Sequence, residues 1–282
     1  MELEDKMEQL SWLQAIVLGI SQGLTEFLPV SSTAHTLIIA RLLHWPDPGA
    51  AFTAVTQVGT ELAVVIYFRA EITAIISTWG RSLLNRELRS DPNARMGWYV
   101  ILGTLPIAVL GIAFKDAIET TARNLWVVAF ALIFMGLILG AADKFAKHVF
   151  NEANLNLRRG LLFGVGQSLA LIPGVSRSGA TITFGLAMGF KREVAARYSF
   201  LLAIPAVFAS AALEANKISA DTYVNWPATL FATVVAFIVG YLVIAALMRY
   251  LSTRTFAPFV IYRVVLGGLL LALLASGTIS AT

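Results

Sequence analysis

The chain has 282 residues, 57% of them hydrophobic and only 13% charged. A soluble domain carries about 25% charged residues, so a soluble globule of this length could not cover its own surface. The mean hydropathy of +0.75 likewise points to a polytopic membrane protein. The net charge of +4 fits cationic loops beside an anionic membrane face. No basic run carries interleaved aromatics, so no nucleic-acid partner is expected. The absence of cysteine excludes disulfides, thiolate catalysis and cysteine-bound metals.

The chain opens Met1-Glu2-Leu3-Glu4-Asp5-Lys6, acidic where a secretory signal needs positive charge. The first apolar segment is therefore expected to stay in the mature protein. It covers residues 10–45 and is broken by Glu26, Pro29 and Ser31-Ser32-Thr33. A membrane-crossing helix needs about 20 mostly apolar residues, and three such stretches follow at 50–68, 96–114 and 125–143. A second broken segment covers 160–190, interrupted by Pro173-Gly174 and Ser176-Arg177-Ser178-Gly179. Three more spans come at 195–215, 228–249 and 258–277. The halves of each broken segment are too short to cross alone, so both predict re-entrant hairpins. Irregular backbone at membrane depth is tolerated only when buried in protein or lining a wet cavity.

The two broken segments resemble each other. Gly19-x-x-Gln22-x-Leu24 leads to Pro29 and Ser31, and Gly164-x-x-Gln167-x-Leu169 leads to Pro173 and Ser176. The expected fold is an all-α polytopic membrane protein, one membrane domain over 1–282, built as two repeats at 10–143 and 160–277. Each repeat is a re-entrant hairpin plus three spans. An odd number of crossings makes the second repeat enter from the opposite side, an inverted topology that places sites near the midplane.

Loop charge sets the orientation. Fourteen basic residues fall on the side away from the N-terminus: Arg69, Arg81, Arg86, Arg89, Arg95, Lys144, Lys147, Arg158, Arg159, Lys191, Arg192, Arg197, Arg249 and Arg254. Four fall on the other side: Lys6, Lys115, Arg123 and Lys217. Both termini are expected outside the cell. Trp12, Trp45, Trp98 and Trp226 read as an interfacial belt. Arg263, near a span end, is expected to snorkel. His44 and His148 lie in loop-like settings and carry no signal.

Polar residues inside the membrane are costly and mark sites. Gln22 and Glu26, spaced i and i+4, share a helix face. Ser31, Ser32 and Thr33 fill the first break and His35 follows. Ser176, Arg177 and Ser178 fill the second, and Thr181 follows. The half-helix beginning at each break offers free N–H groups and the positive end of a helix dipole. Arg177 adds a guanidinium fork suited to phosphate oxygens. Glu26 and His35 add acid–base capacity, and Glu26 could hold a divalent cation. The plainer reading of Glu26 and Arg177 is a structural ion pair. Glu61, mid-span, needs a partner or a wet cavity.

Two long motifs carry a resemblance. Residues 22–35, Gln-Gly-Leu-Thr-Glu-Phe-Leu-Pro-Val-Ser-Ser-Thr-Ala-His, and 173–181, Pro-Gly-Val-Ser-Arg-Ser-Gly-Ala-Thr, closely resemble the two signatures of the undecaprenyl-diphosphate phosphatase family, also called bacitracin resistance proteins. The resemblance implies a multi-pass bacterial inner-membrane hydrolase. It would convert undecaprenyl diphosphate to undecaprenyl phosphate and phosphate, recycle the lipid carrier for peptidoglycan synthesis and confer bacitracin resistance. It also implies a divalent cation (Mg2+ or Ca2+) and, as partners, substrate and membrane lipid; separately, the small-residue face at Gly267-Gly268 permits the helix pairing of a homodimer.

By the same resemblance Glu26, His35, Ser32 and Arg177 are catalytic. Ser31, Thr33, Ser176, Ser178 and Thr181 join Arg177 around phosphate, and Gln22 supports Glu26, the metal ligand. Gln22 stands at an often acidic position and cannot act as a base. Ala34 stands where the family usually has glycine, which restricts the backbone next to His35. The nucleophile is either Ser32 or a water activated by Glu26 and His35. The alternative function is a lipid-phosphate flippase or anion transporter using the same midplane site.

Overall fold

A computed structural model describes residues 10–47, 49–114, 124–218 and 225–281. Lys6, Lys115 and Arg123 of the charge count lie outside these. Among the described residues the chain is helical, with no strand beyond one isolated bridge between Phe150 and Phe190. The helices are α1 (Trp12–Thr25), α2 (Ser32–Leu42), α3 (Gly49–Tyr67), α4 (Arg69–Leu84), α5 (Pro92–Ala113), α6 (Leu125–Phe145), α7 (Leu157–Ser168), α8 (Arg177–Ala187), α9 (Arg192–Ile218), α10 (Trp226–Leu251) and α11 (Ala257–Ala275).

Local sequence sets many of the starts. Ser11 and Gln14 close a capping box on α1. Asp91, Asn124, Asn156 and Asn225 cap α5, α6, α7 and α10 with side-chain oxygens. Helices α5, α6, α9, α10 and α11 are each long and apolar enough to cross a membrane. Helix α3 makes a sixth if it counts together with α4, to which it is bent by 83°. All six expected spans fall on helices. Trp12, Trp98 and Trp226 are well exposed near the starts of theirs, while Trp45 is half-buried.

The segment read as an arginine-bearing loop after residue 68 is corrected by α4. Its apolar residues are spaced to one helix face and never form a long run, so a search for 20-residue runs passes over them. The buried Ile75 and the Trp79 ring are on this helix. Trp79 stacks edge-on against Trp98 of α5 at 5.6 Å.

Helix α10 carries both α1 and α3; α5 carries both α7 and α9; α6 pairs with α11, and α3 with α9. Close backbone approach makes some of this possible. A Cβ on Gly164 would overlap the carbonyl oxygen of Gly103 in α5, and one on Gly19 would come within 2.7 Å of Ala232 O in α10. The main core joins Phe27, Phe163, Ile182, Phe190, Phe200, Leu202, Ile244 and Phe256 from both halves of the chain. At one end Asp143 accepts from Arg192 at 2.5 Å and from the Phe256 amide at 2.9 Å, tying α6 to the starts of α9 and α11. His148 is part of this knot, its Nε2 bonded to Asp143 O at 2.9 Å.

The broken segments are two pairs of short helices, α1–α2 and α7–α8. Their 14, 11, 12 and 11 residues give lengths of about 16–21 Å, against a hydrocarbon core of about 30 Å.

Candidate active site

Both breaks use the same local device. Ser31 (φ 74°) and Ser176 (φ 70°) adopt a left-handed backbone that L-residues rarely occupy. The Ser31 hydroxyl accepts from Ala34 N and the Ser176 hydroxyl from Gly179 N, so each serine caps the next half-helix. Ala34 itself lies inside α2 and is not among the positive-φ residues. The turn strain sits at Ser31, so the alanine at position 34 leaves the turn unaffected.

The two breaks meet through Arg177 and Glu26. Arg177 Nη2 donates to Glu26 Oε1 at 2.8 Å and to Glu61 Oε2 at 3.2 Å. Glu26 Oε2 accepts from Gln22 Nε2 and from the Ser32 hydroxyl, both at 2.7 Å. Every carboxylate oxygen of Glu26 is thus engaged, and a hydroxyl stands hydrogen-bonded to it. Glu61 is fully buried on α3 and finds its partner in Arg177. That contact spans 116 positions, a separation no sequence spacing reveals.

An open cavity lies over this junction. Glu26, Ser31, Ser32, Thr33, Ser176 and Arg177 line it. Gln57 of α3 and Ser210 of α9 line it too; the sequence reading named neither. Two polar atoms of the Arg177–Glu61 pair, Arg177 Nη1 and Glu61 Oε1, are buried and have no hydrogen-bond partner. Such groups cost about 1–3 kcal/mol each when left unpaired.

The other expected residues lie around this junction. Gln22 is buried behind Glu26. The Ser178 hydroxyl reaches the carbonyls of Glu26 and Leu28 at 3.3 Å, tying the second break to the first. Thr181 donates to Arg177 O at 2.7 Å within its own helix. His35 is not on the cavity wall. Its Nδ1 bonds Ser31 O at 2.7 Å and its Nε2 bonds the Tyr262 hydroxyl at 2.6 Å. Because a carbonyl only accepts, Nδ1 carries the hydrogen, and Nε2 of the neutral ring takes the tyrosine O–H. Tyr262 was missed because nothing in its own segment marks it.

Arg263 is a correction. It does not snorkel to a span end but is completely buried. Its guanidinium donates to the carbonyls of Pro29, Ala131, Leu132, Gly174 and Val175. The broken backbone supplies acceptors at depth, which outweighs the pull of the interface.

The chain matches the protein family described as Bacitracin resistance protein BacA over residues 15–269. It belongs to the BacA family. It is 54% identical to "Undecaprenyl-diphosphatase 2" of Streptomyces avermitilis over 96% of this chain and 97% of the relative. It is 54% identical to "Undecaprenyl-diphosphatase" of Thermobifida fusca over 96% and 93%, and 56% identical to "Undecaprenyl-diphosphatase 2" of Frankia casuarinae over 96% and 97%. The BacA match takes in both breaks, the first five apolar stretches in full and part of the sixth. Within this BacA chain the carboxylates at Arg177 come from Glu26 and Glu61, while position 22 contributes an amide.

Proposed function

We propose that the chain is an undecaprenyl-diphosphatase, hydrolysing undecaprenyl diphosphate to undecaprenyl phosphate and phosphate at the junction of the two breaks. The observation that carries this placement is the group of three at the cavity floor: a hydroxyl on a carboxylate, and a guanidinium with one nitrogen unpaired. A diphosphate oxygen satisfies Arg177 Nη1, and the capped starts of α2 and α8 direct helix dipoles toward the same anion.

The 2.7 Å bond from Ser32 Oγ to Glu26 Oε2 favours Ser32 as nucleophile and Glu26 as its base. The Ser32 oxygen bonds to the terminal phosphorus as the bond to the bridging oxygen breaks. Undecaprenyl phosphate leaves, and the serine proton passes to Glu26. Water then attacks the phosphoserine as the bond between phosphorus and the Ser32 oxygen breaks; one water proton returns to Ser32, the remaining hydroxyl leaves on phosphate, and Glu26 releases its proton to solvent. Arg177 holds the charge that spreads over the transferred group. His35, held on Ser31 O, fixes the turn that presents Ser32.

Among the described residues no three His, Asp or Glu side chains converge as a ready metal cage. Magnesium, however, is commonly held by one or two carboxylates together with substrate phosphates. Glu26 and the unpartnered Glu61 Oε1 fit that mode and are the residues that would hold a cation. When bound, it would neutralise charge on the phosphate oxygens.

The inverted repeat is part of this reading. Pairing α1 with α7, α3 with α9 and α5 with α10 maps part of the packing onto itself. Helix α1 lies on α10 as α7 lies on α5, and α3 lies on α10 as α9 lies on α5. With the basic loops in the cytoplasm, the C-terminal halves of α5 and α9 point outward. Ile107 and Ser210, on those halves, line the cavity, which supports a site open to the outer face and suited to diphosphate released there. The test is product analysis with purified protein. One phosphate and one undecaprenyl phosphate per substrate support the reading. Lipid movement across vesicles without phosphate release favours the flippase instead.

A further inference from the structure

We propose that Arg263 is a positioning residue whose one guanidinium fastens equivalent points of the two breaks and thereby sets how Ser32 faces Arg177. The proposal rests on the phosphatase reading. Arg263 Nη1 donates to Pro29 O at 3.0 Å, and Nη2 donates to Gly174 O at 2.9 Å and Val175 O at 3.0 Å. Pro29 and Gly174 stand the same 145 positions apart as Ser31 and Ser176. The same side chain is anchored to α6 by Nε on Leu132 O at 3.1 Å and Nη2 on Ala131 O at 3.2 Å. Every hydrogen bond it makes goes to a main-chain carbonyl.

These carbonyls need such a partner. A break removes the helical amides that would pair them, and within the membrane each must find another partner. Arginine presents five N–H groups in a rigid planar fork; lysine presents three from a single point. Only the fork reaches two breaks and a span at once. The bonds also fall where the backbone is strained. Pro29 lies two residues before Ser31, and Val175 one residue before Ser176. Left-handed residues of this kind persist only where the surroundings over-determine them.

Arg263 does not line the cavity, so it acts through the breaks and not on substrate. Two small residues leave it room. A Cβ on Gly136 would lie 3.1 Å from Arg263 Cβ, and one on Gly179 would lie 2.9 Å from its Nη1. A shift of one break by about 1 Å is enough to cost roughly 10²-fold in rate.

The test uses the full chain in detergent, with phosphate release measured from undecaprenyl diphosphate. Arg263→Lys keeps the charge and loses the fork. The expected result is a monodisperse protein with kcat lower by about 10²-fold and KM within about threefold. Gly136→Ala, which presses on the clamp from α6 and leaves its charge intact, should lower kcat several-fold in the same pattern. A second readout is independent of activity. The cysteine-free chain allows spin labels at Leu24→Cys and Val165→Cys, one on each hairpin and both exposed. Their distance distribution should be narrow in the parent and broad with Arg263→Lys.

Unchanged kcat and unchanged distances in Arg263→Lys overturn the clamp. If Arg263→Lys fails to fold, Gly136→Ala decides by the same two readouts. No phosphate release from the parent protein overturns the phosphatase reading, while the distances still test the clamp.

Discussion

Arg177 Nη2 donates to Glu26 Oε1 at 2.8 Å, joining residues 151 positions apart in the chain. This bond brings two broken segments into one site. It also leaves two atoms, Arg177 Nη1 and Glu61 Oε1, buried without partners, which the proposed phosphate and cation would engage.

Ser32→Ala should lower phosphate release by at least about 10²-fold, the range for losing one positioned participant in the chemical step. Acid-quenched protein incubated with labelled substrate should carry phosphate on Ser32 in the parent and none in the variant. Near-parental turnover in Ser32→Ala would favour direct attack by water.

Glu61→Gln keeps the shape of the side chain and removes its charge. Arg177 then has Glu26 as its only carboxylate, which holds Glu26 more tightly away from Ser32. The expected outcome is a kcat lower by about tenfold, corresponding to about 1.4 kcal/mol, with the protein still folded in detergent. Turnover equal to the parent's would leave Glu61 as a spectator.

Removing divalent cations with a chelator should abolish turnover, and adding Mg2+ or Ca2+ back should restore it. Calorimetry should register cation binding to the parent in the presence of phosphate and much weaker binding to Glu26→Gln. Full activity in excess chelator would remove the cation from the account.

Gly164→Leu places a side chain where the carbonyl of Gly103 already sits. Overpacking of this kind costs about 1–3 kcal/mol or more. Thermal unfolding in detergent should occur at lower temperature than for the parent, because α7 can no longer lie on α5. An unchanged melting temperature would mean that this close approach is dispensable.

Much of this architecture was readable from the chain. Proline, glycine and clustered hydroxyls interrupt two apolar segments, and those interruptions are local features. Glu26, Ser32 and Arg177 were legible for the same reason, since each is a polar residue at a break inside lipid. What stayed hidden depends on contacts between distant segments. Glu61 looked stranded until α3 was set beside α8. Arg263 looked like an interfacial residue because its acceptors, on Pro29 and Gly174, are contributed by breaks 234 and 89 positions away. Tyr262 carries no mark in its own segment and acquires its role only when α11 meets His35. Helix α4 was lost for a different reason: its amphipathic pattern, with Arg69 and Arg81 near its two ends, never forms the long apolar run that identifies a span.

The most direct measurement is phosphate release from undecaprenyl diphosphate by the purified chain beside Glu26→Gln and Arg177→Ala, each shown to be folded by its elution profile. The account predicts release by the parent and a loss of about 10²-fold or more in both variants. Release at the parental rate by either folded variant would contradict a site at the junction of the two breaks.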